Sequence, residues 1–355
     1  MDQARADLTF SKNFWHTKLK GAFMLFRVLA VLVWAFNASL ISNAAAAIDG
    51  VAIKWSVFIF VLVISALLQG YPTHIVNEIY DWQSGADRAI EVTRTNPAAP
   101  KNVSGGSKVI AAGLLTIPEL WRLFYLTAGI LVALAFLFAM LASWQLLWFF
   151  FPGLMLSLFY SLPPFRFAYR PFLGEFLGGF ASIAILVAAG YFAQSGTLPP
   201  PAIVLSLSLG FMYVAIMVFF HYIDHKNDRA ANPPKRTTVV HLGLAGSRIY
   251  ACVCAGIGTL LMSYLAFAHH AHYGVLMLQG LVILYCHWRT QPDDGKSLVH
   301  WGKIMTYFVL FAGLVFATMS EPRFAAMAPV YLLGFWAHKR FGKLRPAPYA
   351  VASTA

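Results

Sequence analysis

The segment IKWSVFIFVLVISALLQGYPTHIVNEIYDWQSGADR, residues 53–88, carries a long apolar run straight into Asn77, Glu78, Asp81 and Asp87. A hydrocarbon core ~30 Å thick takes about 20 helical residues to cross, so the run is long enough to span it. Its apolar residues do not alternate with a period of two, as they would on a membrane barrel strand. The segment therefore reads as a membrane helix that delivers an acidic cluster to one mouth of the bilayer. Similar runs recur at 23–43, 120–142, 144–161, 172–194, 202–223, 247–268, 273–288 and 301–319, with a shorter one at 324–338. The expected fold is all-α: a polytopic transmembrane helical bundle of nine or ten spans.

Composition agrees. The 355 residues are 59% hydrophobic and only 11% charged, too little charge for the surface of a soluble domain of this size. The net charge of +12 raises nucleic acid as a partner, but its placement answers that. With the N-terminus inside, only Lys54 and Arg323 of the 26 Lys and Arg fall clearly on the outer side. This is the positive-inside pattern of a multi-pass protein, and no nucleic-acid partner is needed to explain the charge. Lys339, Arg340, Lys343 and Arg345 return to the inside only if 324–338 crosses, which favours ten spans with both termini cytoplasmic. The expected organisation is a cytoplasmic N-terminal segment (1–22), a transmembrane domain (23–343) and a cytoplasmic tail (344–355). The polar lead, with Asp2 and Asp7, is too long for a cleavable signal. Cys252, Cys254 and Cys286 have no metal-knuckle or redox spacing and read as small apolar core residues.

Two inner loops, near 78–119 and 224–246, are far longer than ordinary connections, and each opens with acidic residues at the end of an apolar helix. Asn77 and Asp81 are four apart, as are Asp224 and Asp228, so each pair shares a helix face. Carboxylates gathered in this way repel one another unless a cation lies between them. Hard oxygen ligands suit Mg²⁺, which usually takes one or two carboxylates together with phosphate oxygens and water. Basic residues follow both clusters: Arg88, Arg94, Lys101 and Lys108 after the first, and Arg229, Lys235 and Arg236 after the second. A single cluster of this kind is most simply a solvated helix end. Two on the same side, each ending a span and each followed by a basic loop, point to a metal-assisted diphosphate site. The HHAH loop at 269–272 lies on the opposite face and reads as structural, Gly178 and Gly179 as helix-packing positions, and QPDDGKS at 291–297 as a solvated loop.

Three stretches resemble the UbiA superfamily of intramembrane prenyltransferases, most closely its MenA-like branch. NEIYDWQSGADR fits the pattern N-(D/E)-x-x-D-x-x-x-G-x-D through Asn77, Asp81, Gly85 and Asp87. DHKNDRAANPPKRTTVVHLG, residues 224–243, is similar to the second motif, D-x-x-x-D with a G-K-R-T-like tail. YSLPPFRFAYRPFLGEFLGG, residues 160–179, is similar to the Tyr-Ser-x-Pro-Pro signature, and Glu175 within it matches a family position. The chain departs from the pattern in several places. Glu78 stands where Asp is usual, Phe220 and His221 replace Asn and Asp or Asn, NPP interrupts the second motif before Lys235, and Arg27 lacks the proline that tends to follow it.

The resemblance implies a UbiA-like fold and Mg²⁺-dependent transfer of an isoprenyl group from an isoprenyl diphosphate donor to a small aromatic or quinone-precursor acceptor, with pyrophosphate released. It implies that Asp81, Asp87, Asp224 and Asp228 are catalytic metal ligands, with Asn77 a neutral oxygen donor and substrate contact. Arg94, Lys101, Arg166, Lys235 and Arg236 would hold diphosphate oxygens, and Tyr160 and Ser161 would line the pocket. The isoprenoid tail would lie in the lipid bilayer among apolar helices, and the expected location is a bacterial inner membrane with the active-site loops cytoplasmic. Other outcomes stay open: cyclisation of the prenyl chain, a lipid or carotenoid acceptor, or an ion-coupled transporter. Transporter sites are expected near the midplane, whereas these carboxylates lie at the inner ends of spans.

Overall fold

The computed structural model describes residues 2–86 and 106–341, with side chains from residue 14. Its ten principal helices are α1 (Phe14–Ile48, continuing a helix that starts at Asp2), α2 (Trp55–Ser84), α3 (Ile117–Leu141), α4 (Trp144–Phe159), α5 (Leu173–Ser195), α6 (Pro200–Ala230), α7 (Thr238–Ala268), α8 (Gly274–Arg289), α9 (Gly295–Ser320) and α10 (Ala328–Phe341). Seven of them, α1 to α3, α5 to α7 and α9, are long and apolar enough to cross a membrane. The remaining three coincide with the shorter apolar runs. At 14 residues α10 rises only about 21 Å, less than a hydrocarbon core. A 3₁₀ segment, Pro322–Met327, leads into it.

The polar lead does not form a separate unit. A helix runs through the expected boundary at residue 22 as far as Phe26, and the break comes at Arg27, which adopts left-handed φ of 51°. Lys18 is tied to the start of α3, its Nζ 2.7 Å from Glu119 and 3.2 Å from the Leu114 carbonyl. Glu119 also completes a reciprocal capping box with Thr116, which explains why α3 starts where it does. The expected tail, 344–355, lies outside the described residues.

The centre of the bundle is α6, whose apolar window is 67% buried. Around it pack α1, α5, α7, α8 and α9, forming one large core that includes Tyr213, Phe219, Tyr222 and Phe316. A smaller core of Met24, Leu25, Ile75, Ile79, Val109 and Leu120 seals the ends of α1 and α2 beneath the first long loop. Facing outward are large apolar side chains such as Trp148, 80% exposed, and Phe267, 85% exposed. Such a belt suits lipid and would be costly in water. Cys254 and Cys286 are buried and Cys252 half-buried, all as free thiols.

Three spans contain wide π turns: Leu32–Phe36 in α1, Gln69–Thr73 in α2 and Phe176–Ala181 in α5. Pro72 lacks the N–H that a regular helix would use there. Gln69 bridges the first two distortions, accepting from the Ala35 N–H at 3.1 Å and donating to the Ala30 carbonyl at 3.3 Å. Backbone groups released from the helix are thus satisfied in apolar surroundings, as a membrane span requires.

Helix α7 approaches α6 closely enough for Ser208 Oγ to donate to the Gly258 carbonyl at 2.7 Å. A Cβ at Gly258 would lie 2.7 Å from the Ser208 carbonyl oxygen, with no flexible side chain to yield. Gly258→Val is therefore expected to destabilise the bundle by ~1–3 kcal/mol through overpacking. A lowered thermal midpoint of the detergent-solubilised variant would show this, and an unchanged midpoint would refute the contact.

Candidate active site

The last turns of α2 present the first acidic motif. Four-residue spacing brings Asn77 Nδ2 to 2.8 Å from Asp81 Oδ2, so the two act as one polar face. The helix ends at Gly85, whose φ of 82° suits a residue without a Cβ. Asp87, the motif's last position, lies outside the described residues, as do Arg94 and Lys101. Glu78 has a different task. It is 3% exposed and turned towards the first loop, accepting from Ser107 Oγ at 2.6 Å, the Lys108 N–H at 3.0 Å and the Ile110 N–H at 3.4 Å. The longer side chain at the position where Asp is usual thus anchors the returning loop.

The second motif comes from the end of α6. Lys235 folds back so that its Nζ lies 2.8 Å from Asp81 Oδ2, while its backbone N–H donates to the Asp228 carbonyl at 2.9 Å. Burial works against the Lys235 ammonium, but Asp81 and then Asp228 outweigh it and hold its pKa well above the ordinary lysine range. The NPP interruption extends this crossover, and the Asn232 N–H donates to the Ser84 carbonyl at 2.8 Å. Asp228 is buried, and its Oδ2 has no hydrogen-bond partner among the described residues. Asp224, partly buried, lies within electrostatic reach of Lys235, His221, Lys108 and Arg27. Arg236 is exposed beside the buried Lys235 and is not drawn into the cluster.

The third stretch closes one side. Ser161 Oγ lies 3.3 Å from Asn77 Nδ2. Tyr169 OH is 3.0 Å from Asp81 Oδ1 and 2.8 Å from Ser84 Oγ, and burial followed by the charge of Asp81 pushes its phenol pKa up, keeping it a neutral hydrogen-bond donor. The Arg166 guanidinium covers the rings of Tyr80 and Tyr169, at 5.1 and 5.5 Å from their centroids, and its buried Nε has no partner among the described residues. The half-buried Tyr160 packs on Gly178, where an added Cβ would stand 2.8 Å from the ring. Gly179 also lies close to α6, its virtual Cβ 3.3 Å from Val214 Cα.

Tyr169 was within reach of sequence reading, three residues after Arg166 in the same loop, but its bond to Asp81 is a tertiary fact with no local signature. Beneath the cluster Glu175, wholly buried, joins three elements. It meets His221 Nδ1 at 2.8 Å and accepts from the Thr238 N–H at 3.1 Å and Thr238 Oγ1 at 2.6 Å. At the opposite end of the bundle, His269 of the HHAH loop is paired with Asp49 at 2.7 Å. Among the described residues no three His, Cys, Asp or Glu side chains form a ready-made metal cage.

The arrangement brings two acidic motifs and a buried ammonium to one mouth of the bundle, with hydroxyls and a guanidinium alongside. Similarity to known proteins agrees with it. The UbiA prenyltransferase family profile matches residues 32–305. A UbiA homolog from Archaeoglobus fulgidus, solved bound to GPP and Mg²⁺, superposes with a TM-score of 0.61 at 15% identity, covering 84% of this chain and 99% of that one. The apo UbiA homolog from Aeropyrum pernix K1 gives a TM-score of 0.53 at 17% identity, covering 83% and 97% respectively. A structure described under digeranylgeranylglyceryl phosphate synthase gives 0.54 at 15% identity, covering 84% and 98%. No curated protein sequence matches. With the family profile spanning most of its length and the fold in agreement, this multi-pass membrane chain belongs to the UbiA prenyltransferase family.

Proposed function

We propose that the chain transfers an isoprenyl group from an isoprenyl diphosphate to a small aromatic or quinone-precursor acceptor, with Mg²⁺ as cofactor. The observation that carries this reading is the junction of the two acidic motifs: Lys235 Nζ sits 2.8 Å from Asp81, while Asp228 keeps a buried oxygen without a partner among the described residues. A buried carboxylate oxygen left unpaired is costly, and a cation would satisfy it. The donor set also fits Mg²⁺, since Asp81, Asp224 and Asp228 offer hard oxygens and the carbonyl oxygen of Asn77 is uncommitted, its amide nitrogen making both of its contacts. Asp87 is placed in the same set by its motif. Bound there with the donor, the ion would neutralise charge on the departing diphosphate.

The chain's own residues supply the rest. Lys235, reinforced by Arg166 and by Arg94 and Lys101 of the first loop, would hold diphosphate oxygens as the allylic C–O bond breaks. Arg236, exposed, would contribute from the rim. Ser161 and Tyr160 would line the pocket, and Tyr169 would keep Asp81 oriented. The isoprenoid tail would enter the bundle between apolar helices, where water is scarce and an allylic cation survives long enough to be captured. The proposed setting is a bacterial inner membrane, with residues 1–22 and 344–355 and the active-site loops on the cytoplasmic side.

The test is turnover by the purified protein in lipid nanodiscs with labelled geranyl, farnesyl or geranylgeranyl diphosphate, Mg²⁺ and a panel of phenolic and naphthoic acceptors. Acceptor-dependent pyrophosphate release and a labelled prenylated product are expected. Release without an acceptor would indicate cyclisation or hydrolysis instead, and neither product with any donor would overturn the reading. Removing Mg²⁺ with a chelator should abolish turnover and leave the fold intact.

Asp81→Asn should lower turnover by about 10²–10³-fold, the scale on which single transition-state stabilisers act. Because it also strands the Lys235 ammonium, it and Lys235→Met should each destabilise the protein by ~3–5 kcal/mol. The double variant should lose less than the sum of the two; additive losses in chemical denaturation would show that the pair is not coupled.

A further inference from the structure

Glu175 and His221 are not needed to hold a diphosphate, yet they form a buried and fully bonded polar contact between α5 and α6. Glu175 has no exposed surface, while the His221 side chain keeps 11% exposure. Both carboxylate oxygens are engaged, Oε1 by His221 Nδ1 and the Thr238 N–H and Oε2 by Thr238 Oγ1, so the group cannot rotate away. A carboxylate fixed against Nδ1 places the imidazole proton on that atom and leaves Nε2 as the basic one. His221 has no second hydrogen bond among the described residues.

Position along α6 gives the pair its meaning. His221 precedes Asp224 by three residues, about 4.5 Å of helix rise, and lies on the side of Asp224 that leads into the membrane. If the diphosphate is held at Asp224, Asp228 and Lys235 with its tail directed into the bundle, the reacting carbon lies one step deeper, at the level of His221. The charged groups around the imidazole are Glu175, Asp228 and Lys235, with Asp224 within reach. Phe220, the preceding residue, packs on Trp34 with ring centroids 5.7 Å apart, giving an apolar flank.

We propose that His221, held in place by Glu175, is the base that takes the acceptor's proton. This rests on the prenyl-transfer reading. As the donor's C–O bond breaks, its electron pair leaves with pyrophosphate. An electron pair from the acceptor then forms the bond to the allylic carbon, either from a ring carbon or from a hydroxyl oxygen. The acceptor's C–H or O–H pair returns to the acceptor, and the proton goes to Nε2, giving an imidazolium beside the Glu175 carboxylate. His221 is the catalytic residue and Glu175 the positioning residue.

His221→Asn is the informative variant, because its side-chain amide can still donate to Glu175 while the basic nitrogen is gone. With a donor and acceptor that the wild type turns over, product formation should fall about 10²-fold, the scale of general-base catalysis. Retention of labelled donor should stay within about twofold of wild type, which separates lost chemistry from lost fold. Proton removal should become rate-limiting, so that an isotope effect absent from the wild type appears, with a ring-deuterated acceptor for capture on carbon or in D₂O for capture on oxygen. Glu175→Gln should show the same isotope effect with a smaller loss. Turnover within about twofold of wild type, or a loss of turnover with no isotope effect in either arm, would overturn the assignment. A wild type inactive with every acceptor would overturn the prenyl-transfer reading itself, and that outcome is visible before any variant is made.

Discussion

The active-site end of the molecule depends on one ion pair, the Lys235 ammonium against the Asp81 carboxylate at 2.8 Å. Both side chains are at most 10% exposed, so neither charge can be left to water. Removing either would strand the other at the edge of a low-dielectric bundle, which costs more than the pair itself gains. The contact joins residues 154 positions apart and therefore draws the crossover after α6 down onto the end of α2. The Asn232 bond to Ser84 and the Lys235 N–H bond to Asp228 follow from that closure, as short-range bonds between segments already brought together. Because the ammonium is committed to Asp81, Asp228 remains buried with an unsatisfied oxygen, and the cluster has room for a cation.

Deeper in the bundle the same demand for satisfied polar groups shapes the helices. Glu175 enters the membrane only because His221 from α6 and Thr238 from α7 meet it, and those bonds pin three helices at one level. The π turn Phe176–Ala181 begins directly after Glu175, and Ser182 Oγ donates to the Gly178 carbonyl within it. Gly179 lets that widened stretch lie against α6. A polar contact, an irregular turn and a small residue thus act together, each accommodating the demand made by another.

What could be read from the sequence follows from how local each cause is. Long apolar runs gave the spans because length and composition alone decide whether a helix can sit in lipid, and the i to i+4 spacing put Asn77 on the same face as Asp81, where the structure has it. Local spacing could not tell that Glu78 turns to the first loop while Asp81 turns to Lys235, since the choice rests on which distant segment arrives. Lys235 and Arg236 are adjacent basic residues with the same sequence claim on a diphosphate, yet one is buried on a carboxylate and the other exposed. Near the N-terminus polarity changes around residue 22, while the backbone turns only at Arg27, in a left-handed conformation that composition does not encode. His221 looked like a departure from the family pattern until Glu175, 46 residues away, supplied its partner.

The two ends of the bundle each carry a polar cluster, and they differ in which groups are left unmet. One end holds Asp49, Tyr191 and His269, residue types as suited to chemistry as those at the end that holds Asp81. There Asp49 Oδ1 meets His269 at 2.7 Å and Oδ2 accepts from Tyr191, so both carboxylate oxygens are satisfied by the protein. These contacts tie the α1 and α7 ends to α5, while the neighbouring Tyr273 OH and His272 Nδ1 are buried without partners among the described residues. At the end that holds Asp81, Asp228 Oδ2 and the Arg166 Nε are buried without partners among the described residues. Each unmet group costs free energy in the free protein and recovers it only when something binds. What differs is the chemistry of the unmet groups: a carboxylate oxygen and a guanidinium N–H beside Asp81 are those that a cation and a phosphate oxygen would satisfy together.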